Sequence, residues 1–359
     1  MIDLKVLGLD IGGANTKIAF ARAEAGFLEE IRTDSEYFPM WKYSNSLDTL
    51  LTRLADKVGE GDSFEAVGVT MTAELADAYR TKQEGVSHIL SQVQRAFSQE
   101  PIYVLDVTGN LKDLKHAKAK PLEFAAANWV ATGWLVSQIV KNCVVVDVGS
   151  TSTSIIPIVN GLVSVAGKTD LEKLINGELV YTGSLRTNVA AIVNCVPVKG
   201  SLSRVSSELF ATSGDVHLIL RNITSNEFTV ETADGKGKSR SDALARIARV
   251  ICGDVEMLEE AELVRIAKHV YDKQVDQIAE GLIQVSEPIL RKVKKSMPVI
   301  VTGIGKDFLA KKAAEKVGFK TIIDLNNLIP GNAAKVSTAV GVALMLASKI
   351  GGRTVQWKQ

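Results

Sequence analysis

The chain has 359 residues, which is longer than one simple domain usually is, so two lobes are expected. Hydrophobic residues make up 46% of the chain and charged residues 23%, the balance of a soluble globular protein. The formal net charge is only +1, which gives no electrostatic reason to expect nucleic acid or a membrane surface as a partner.

The cysteines and the apolar segments indicate the compartment. Cys143, Cys195 and Cys252 lie far apart and form no CxxC pair, which predicts free thiols in a reducing cytoplasm. The first residues alternate into a strand and lack the charged-then-apolar pattern of a signal peptide. No apolar run is expected to reach the roughly 18 residues of a membrane span. We therefore expect a cytoplasmic protein that binds no membrane.

The first 140 residues alternate between strand and helix patterns, which predicts a sheet covered by helices. In chain order, the predicted elements are strands at 4–9, 16–23 and around 27–33, a helix at 46–58, a strand at 66–72, a helix at 85–97, a strand at 102–107 and a helix at 121–140. The last of these is rich in small residues, which let a second backbone approach closely and suit a crossing between lobes.

The second half restarts the same pattern. A strand at 142–149 ends at Asp147 and a turn, and 152–167 predicts a hairpin that turns at Asn160-Gly161. Both halves contain an apolar strand, Asp-x-Gly, a polar turn and a second strand: LGLDIGGANTKIAF and VVVDVGSTSTSIIP. A repeat separated by more than a hundred residues indicates duplicated lobes rather than a solenoid.

The predicted domains are an N-terminal lobe, 1–140, and a C-terminal lobe, 141–359, with an inserted subdomain at about 168–240. Within and after the insertion, the predicted elements are short strands at 216–223 and 227–232, helices at 241–252, 259–279 and 281–295, a strand at 297–305, a helix at 306–317, a strand at 319–324 and a helix near 334–349. The last helix is again rich in small residues.

The turn after the first strand is a candidate anion site. Its functional residues are Asp10, Gly12, Gly13, Asn15, Thr16 and Lys17. Glycines let backbone N–H groups face an anion with no Cβ in the way. Asp10 can hold Mg²⁺ through water, and Lys17 supplies a positive charge. Taken alone, the turn is explained equally well as an ordinary glycine-rich hairpin with an exposed aspartate.

The matching turn in the second half favours an anion site over an ordinary glycine-rich hairpin. It contains Asp147, Gly149, Ser150, Thr151, Ser152 and Thr153. Hydroxyl groups in such a run are good ligands for phosphate oxygens and metal-bound water, although a single Ser/Thr run is usually a polar surface turn. Two matched Asp-x-Gly turns favour a phosphate site in which Asp10 and Asp147 are the catalytic and metal-binding carboxylates.

The paired turns resemble the phosphate loops of the actin, sugar kinase and Hsp70 superfamily, and this resemblance covers nearly the whole chain. The predicted helices at 121–140 and 334–349 are similar to its two connecting helices. Residues 301–305 sit where the superfamily keeps its adenosine-binding motif. The resemblance implies an α/β fold of duplicated actin-like ATPase-domain lobes, which are ribonuclease H-like, with a cleft between them that binds a phosphate-bearing small molecule.

A narrower resemblance, to the hydantoinase/oxoprolinase-like branch and its methanofuran-biosynthesis transferases, rests on longer stretches. These are GLDIGGANTK (8–17), TMTAELAD (70–77), AANW (126–129), DVGSTSTSIIPI (147–158), GELVYTGSLRT (177–187), ELFAT (208–212) and TADG (232–235). Such transferases join the phenol oxygen of γ-glutamyltyramine to 5-(aminomethyl)-3-furanmethanol diphosphate and release pyrophosphate. The resemblance implies Mg²⁺ as cofactor, these two small molecules as partners and a diphosphate on the turns, and it leaves room for a homo-oligomer.

One strip departs from the nucleotide-binding pattern. ATP-binding relatives are glycine-dense there, because the base lies against bare backbone. Here Ile304 and Lys306 flank Gly305, so we infer that adenine fits poorly, whereas Gly303 and Gly305 still suit a diphosphate. Lys306 adds charge if it reaches inward, and a solvated lysine in the first turn of a helix is equally consistent.

The reaction needs a base, because a phenol with a pKa of about 10 is mostly protonated at neutral pH. Glu74 and Asp77 follow the strand end where relatives with kinase activity place a catalytic base, although acidic residues in a first helical turn also stabilise the helix dipole. Arg186 suits the glutamyl carboxylate as a bidentate partner, with a surface ion pair as the alternative.

Two other functions stay open. The first is an ATP-dependent small-molecule kinase or amidohydrolase of the hydantoinase/oxoprolinase type, which Ile304 and Lys306 disfavour. The second is a non-catalytic nucleotide-sensing or assembly protein, which the retained Asp10, Lys17 and Asp147 disfavour.

Overall fold

The structure is a computed structural model that describes residues 3–293 and 297–357. It divides the chain into two compact units. The first unit takes the described residues up to Cys143, then Ile156–Glu172, then those from Leu325 onward; the second takes Val144–Ile155 and Lys173–Asp324. The sequence-based lobes group the segment after Leu325 with the second half, and that division stays a prediction.

The described residues form fifteen strands and twelve α-helices. The strands are β1 Asp3–Ile11, β2 Asn15–Glu24, β3 Phe27–Tyr37, β4 Ala66–Met71, β5 Ile102–Leu105, β6 Leu111–Asp113, β7 Cys143–Val148, β8 Thr153–Val159, β9 Leu162–Val163, β10 Leu179–Val180, β11 Cys195–Val198, β12 Ser201–Arg204, β13 Val299–Gly303, β14 Ile322–Asp324 and β15 Gln356–Trp357. The helices are α1 Met40–Tyr43, α2 Leu47–Gly59, α3 Lys82–Ala96, α4 Leu114–Ala119, α5 Asn128–Ser137, α6 Asp170–Ile175, α7 Val189–Ile192, α8 Ser213–Ile219, α9 Arg240–Arg249, α10 Glu260–Val293, α11 Lys311–Val317 and α12 Ser337–Gly351.

The sheet of the first unit has the order β15-β3-β2-β1-β4-β5-β6. Strand β1 pairs antiparallel with β2 and parallel with β4, so that Asp10 lies opposite both Lys17 and Thr70. Every residue of β4 is buried. Because parallel strands end at the same edge of a sheet, the turn after β1 and the turn after β4 are neighbours.

The sheet of the second unit repeats this arrangement. Its order is β10-β8-β7-β13-β14, with β13 parallel to both β7 and β14. The run β8-β7-β13-β14 therefore corresponds to β2-β1-β4-β5, and Asp147 lies opposite Thr302 as Asp10 lies opposite Thr70. The duplication predicted from the two Asp-x-Gly turns is present in the strand order of each unit.

Helix α12 is the central helix of the first unit and packs against β1, β4 and α5. The stretch Ala333–Gly351 has a mean hydropathy of 1.4 and is long enough to span a membrane by length and composition alone. The expectation that no segment reaches that length is thus wrong for this stretch. However, 78% of it is buried inside the protein, as expected for a core helix.

Three predicted helices have different bounds in the structure. The helix expected at 121–140 is a 3-10 turn, Pro121–Phe124, followed by α5, because Ala126 takes a left-handed conformation (φ 52°) that interrupts the helix. The two helices expected at 259–279 and 281–295 are the single helix α10 up to Val293, and residues 294–295 lie outside the described residues. Gly281 does not end the helix; it lets α10 pack closely on Val180.

The prediction of strands at 216–223 and 227–232, within the insertion, is wrong. Residues 213–219 are helix α8, which begins where the Thr212 N–H donates to Asp215 Oδ2 over 2.9 Å. Because every residue of α8 is buried, its sequence shows no amphipathic helical period. The stretch 227–232 forms no strand, and Phe228 and Val230 anchor it in the core.

Candidate active site

The two Asp-x-Gly turns close with the same hydrogen bond. In the first unit, the Gly12 N–H donates to the Asn15 carbonyl over 3.0 Å; in the second, the Gly149 N–H donates to the Ser152 carbonyl over 2.9 Å. A Cβ on Gly12 would lie only 2.7 Å from the Asn15 oxygen, so this position requires glycine. A Cβ on Gly13 would meet nothing within 4 Å, which leaves the backbone there open to a ligand.

Asp10 is the buried carboxylate at the first turn, with 2% of its surface exposed. Its Oδ2 accepts hydrogen bonds from Lys17 Nζ at 2.9 Å and from Thr338 Oγ1 at 2.5 Å. Its Oδ1 is buried and has no hydrogen-bond partner within the part of the chain that the structure describes. An ionised carboxylate oxygen accepts at least one hydrogen bond or cation, so Oδ1 keeps its acceptor capacity for a ligand.

The side chains around the first turn suit a metal site that has few protein ligands. Among residues 3–293 and 297–357, no three His, Cys, Asp or Glu side chains cluster as a metal site. Mg²⁺, however, keeps several waters and is commonly bound by one or two carboxylates plus phosphate oxygens. The unsatisfied Oδ1 of Asp10 fits that pattern.

The hydroxyl residues of the turns differ in accessibility. The side chains of Thr16 and Thr153 are completely buried, and Thr153 Oγ1 donates to the Thr182 carbonyl over 2.8 Å. By contrast, residues 150–152 are only partly buried. The hydroxyl groups of residues 150–152 are therefore better placed to meet a ligand than those of Thr16 and Thr153.

The segment 183–187 lies directly on the second turn. The Ser184 N–H donates to the Gly149 carbonyl over 2.9 Å, and the Arg186 N–H donates to the Ser150 carbonyl over 3.0 Å. Arg186 Nη1 also donates to Thr151 Oγ1 over 3.2 Å. The structure thus joins Arg186 to the hydroxyl-rich turn, an association that sequence spacing did not indicate.

Ser184 is a candidate ligand-binding residue that the sequence alone did not indicate. Its side chain is completely buried, and Oγ has no hydrogen-bond partner among the described residues. A Cβ on Gly305 would lie 2.5 Å from this Oγ, so Gly305 makes the close approach possible. The available signal is its place in GELVYTGSLRT, the stretch that also contains Arg186.

The strip 303–306 packs against the second turn through its glycines. Gly303 has a φ of 86°, and a Cβ there would overlap the Val148 carbonyl oxygen. Ile304 is 45% exposed. Lys306 forms an ion pair with Asp324; partial burial lowers its pKa, but the Asp324 carboxylate outweighs this and raises it above the usual value. Its charge is therefore matched by Asp324 rather than simply solvated.

Glu74 is the buried one of the two predicted bases, with 1% of its surface exposed in the 3-10 turn Ala73–Leu75. Burial raises the pKa of Glu74 to about 7, although the N–H groups of Glu74 and Ala126 and the Lys82 ammonium lower it in part. The Thr72 N–H, which donates to the Ile11 carbonyl over 2.9 Å, ties this turn to the end of β1. Asp77 lies in an exposed turn.

A family model described as hydantoinase/oxoprolinase matches residues 65–348. The chain belongs to the hydantoinase/oxoprolinase family. The family resemblance seen in the sequence is thereby confirmed.

Two curated relatives in this family carry the name (4-{4-[2-(γ-L-glutamylamino)ethyl]phenoxymethyl}furan-2-yl)methanamine synthase. The protein from Methanocaldococcus jannaschii is 41% identical over 307 residues, which are 85% of this chain and 88% of the relative. The protein from Methanococcus vannielii is 36% identical over 215 residues, which are 59% of this chain and 94% of the relative. Both relatives are named as synthases, in agreement with the enzyme class inferred from the sequence.

Among solved structures, nucleotide-free acetone carboxylase is similar to this chain with a TM-score of 0.57. The similarity covers 96% of this chain and 70% of the carboxylase, at 11% sequence identity. At this low sequence identity, the likeness shows a shared fold and nothing more. The predicted actin-like α/β fold is confirmed.

Proposed function

We propose that this member of the hydantoinase/oxoprolinase family forms the aryl ether of methanofuran biosynthesis. It joins the phenol oxygen of γ-glutamyltyramine to the methylene carbon of 5-(aminomethyl)-3-furanmethanol diphosphate and releases pyrophosphate. The observation that carries the proposal is the 41% identity over 85% of the chain to a synthase whose name describes a phenoxymethyl link to a furan.

The first turn supplies groups that suit a diphosphate. The space beside Gly13 is open, since a Cβ there would meet nothing within 4 Å, and Lys17 brings a positive charge to the same strand ends. The second turn has the same closing hydrogen bond and adds Arg186 to its hydroxyl groups. Fixed N–H donors and cations stabilise charge as it develops on a leaving pyrophosphate.

Asp10 and Asp147 are the residues that would hold Mg²⁺, and the unsatisfied Oδ1 of Asp10 supports this for the first turn. When bound, the ion would help to neutralise the diphosphate. We place the reaction in the cytoplasm, where the three free thiols Cys143, Cys195 and Cys252 would stay reduced.

Glu74 is the proposed base for the phenol. A carboxyl group with a pKa of about 7 is half ionised at neutral pH, which is the range in which a general base is most effective. The phenol proton passes to the Glu74 carboxylate as the new C–O bond forms. The electron pair of the broken C–O bond leaves with pyrophosphate, so no external oxidant or reductant is required.

The test is an incubation of the purified protein with Mg²⁺, the furan diphosphate and γ-glutamyltyramine, without ATP. We expect equal amounts of ether and pyrophosphate, and loss of both products in Asp10→Ala and Asp147→Ala. A protein that forms no ether under these conditions, yet turns over or binds tightly once ATP is added, would contradict the proposal. That outcome would favour an ATP-dependent kinase or amidohydrolase.

A further inference from the structure

Glu74 is enclosed by neighbouring segments of the first unit. Helix α3 packs across the turn that holds it, and a Cβ on Gly85 would lie 2.5 Å from the Glu74 carbonyl oxygen. The Ala126 N–H faces the Glu74 carboxyl group, and Ala126 takes a left-handed conformation that is strained for a residue with a Cβ. The turn that carries Glu74 is therefore tightly packed, while both of its carboxyl oxygens are buried with no hydrogen-bond partner among the described residues.

Lys82 is the cation beside this carboxyl group. Its Nζ lies 4.0 Å from Glu74 Oε1 but only 2.5 Å from Asp170 Oδ2. Asp170 begins α6, which reaches this place from a separate stretch of the first unit. The lysine therefore makes its hydrogen bond to Asp170 and acts on Glu74 only at longer range.

The other titratable groups at this end of α3 are bonded elsewhere. Glu84 Oε2 accepts from the Arg80 N–H over 2.9 Å. His88 Nδ1 lies 2.8 Å from the Tyr79 hydroxyl oxygen. The ion pair between Lys82 and Asp170 thus supplies the charges that act directly on the Glu74 carboxyl group.

We propose that Asp170 is a positioning residue for the proton transfer, because it holds the Lys82 ammonium on its own carboxylate and so keeps that charge from closing onto Glu74. The proposal rests on the role of Glu74 as base. With the ammonium held away, the Glu74 carboxylate stays basic enough to accept the phenol proton. With the ammonium in direct contact, the carboxylate would be stabilised and would be a weaker base.

The test compares the pH dependence of kcat in the wild type and in two variants. Asp170→Asn frees the ammonium to pair with Glu74, so the acid limb of the profile should move to lower pH by about 1 unit. Lys82→Met removes the cation, so the acid limb should move to higher pH. The double variant should lie between the two single variants, because it lacks both the ammonium that lowers and the carboxylate that raises the pKa of Glu74. Shifts in the same direction, or no shift in either single variant, would overturn the proposal.

A second readout separates this proposal from the proposed function. The ionisation of Glu74 is followed in the resting protein by carboxyl ¹³C NMR, with Glu74→Gln to assign the signal. If the wild type forms no ether but the Glu74 signal shifts oppositely in the two variants, the reaction is wrong and the positioning pair stands. If ether forms but the signal does not respond, the positioning pair is wrong.

A matched control uses another Lys–Asp pair. Lys268 and Asp272 form an exposed ion pair on α10, in the second unit. Asp272→Asn makes the same chemical change as Asp170→Asn and should leave both the kcat profile and the Glu74 signal at their wild-type values. A shift in this control would show that the readouts respond to charge changes in general, and the proposal would be withdrawn.

Discussion

Gly8 of β1 lies so close to α12 that a Cβ at this position would overlap the carbonyl oxygen of Ala339. The same Cβ would lie 2.6 Å from the Ala343 nitrogen. Gly341 makes a similar approach from the other side of α12, where a Cβ would overlap the Ala131 carbonyl oxygen in α5. Sheet and helices are thus in contact through their backbones, and the small residues seen in the sequence are required by this contact.

The first prediction concerns this backbone contact. Gly8→Ala should lower the free energy of unfolding by about 1–3 kcal/mol, because the added methyl group forces β1 and α12 apart. Urea denaturation measures the change. Gly59→Ala is the control, since a Cβ there meets nothing within 4 Å, and it should leave the unfolding midpoint unchanged or slightly raised. Equal midpoints for the wild type and Gly8→Ala would contradict the packing argument.

The second prediction concerns Asp10. Asp10→Asn removes the negative charge that holds the Lys17 ammonium and would hold the metal, so pyrophosphate release should fall by about 10²–10³-fold. Circular dichroism should still report a folded protein, because asparagine has nearly the same shape. Asp3→Asn, which breaks an exposed pair with Arg22 on the same two strands, should retain activity. Comparable losses in both variants would assign the effect to the sheet rather than to the site.

The third prediction concerns the pH dependence of stability. The pKa of Glu74 rises from its usual value of 4.5 to about 7 in the folded protein. Between these values the folded protein keeps a proton that the unfolded chain has lost, so stability falls as the pH rises. Glu74→Gln should therefore match the wild type near pH 4 and exceed it at pH 8 by about 3 kcal/mol, even though it loses activity. Denaturation at both pH values tests this, and an equal difference at both would refute it.

The fourth prediction concerns the buried ion pair in the second unit. Arg246 and Asp215 are both completely buried, and Arg246 Nη2 lies 2.8 Å from Asp215 Oδ1. Arg246→Met leaves a buried carboxylate without its cation, so the free energy of unfolding should fall by about 3–5 kcal/mol. Arg249→Met removes a more exposed partner of Asp234 and should cost less than about 1 kcal/mol. Similar losses in the two arginine variants would show that burial does not determine the cost.

Local signals in the sequence were sufficient for much of the fold. The two Asp-x-Gly turns predicted duplicated lobes, because a charged residue at the end of an apolar run marks a strand end, and the two sheets share a strand order. The hairpin turn at Asn160-Gly161 is confirmed: both residues have positive φ values, 54° and 78°, as a type I′ turn requires. Such features depend on a few consecutive residues, which is why a single sequence reveals them.

Features set by distant residues were not accessible in this way. Helix α8 is buried on every side, so its apolar residues carry no period that separates helix from strand. The contact between Lys82 and Asp170 joins residues 88 positions apart. Ser184 faces Gly305 only because segment 183–187 folds back onto the second turn. Long-range packing decides each of these, and no local pattern records it.

The division of the chain into two units has a consequence for how the protein folds while it is being translated. The first unit needs α12, which begins at Ser337 and packs on β1, the strand that ends at Ile11. On the ribosome, at ~5–20 residues per second, β1 must wait until everything between Ile11 and Ser337 has been made before its helix emerges. Until then the apolar face around Gly8 stays uncovered. The nascent protein therefore passes through a period in which β1 lacks its covering helix and is prone to association, and the first unit is completed only once α12 has emerged.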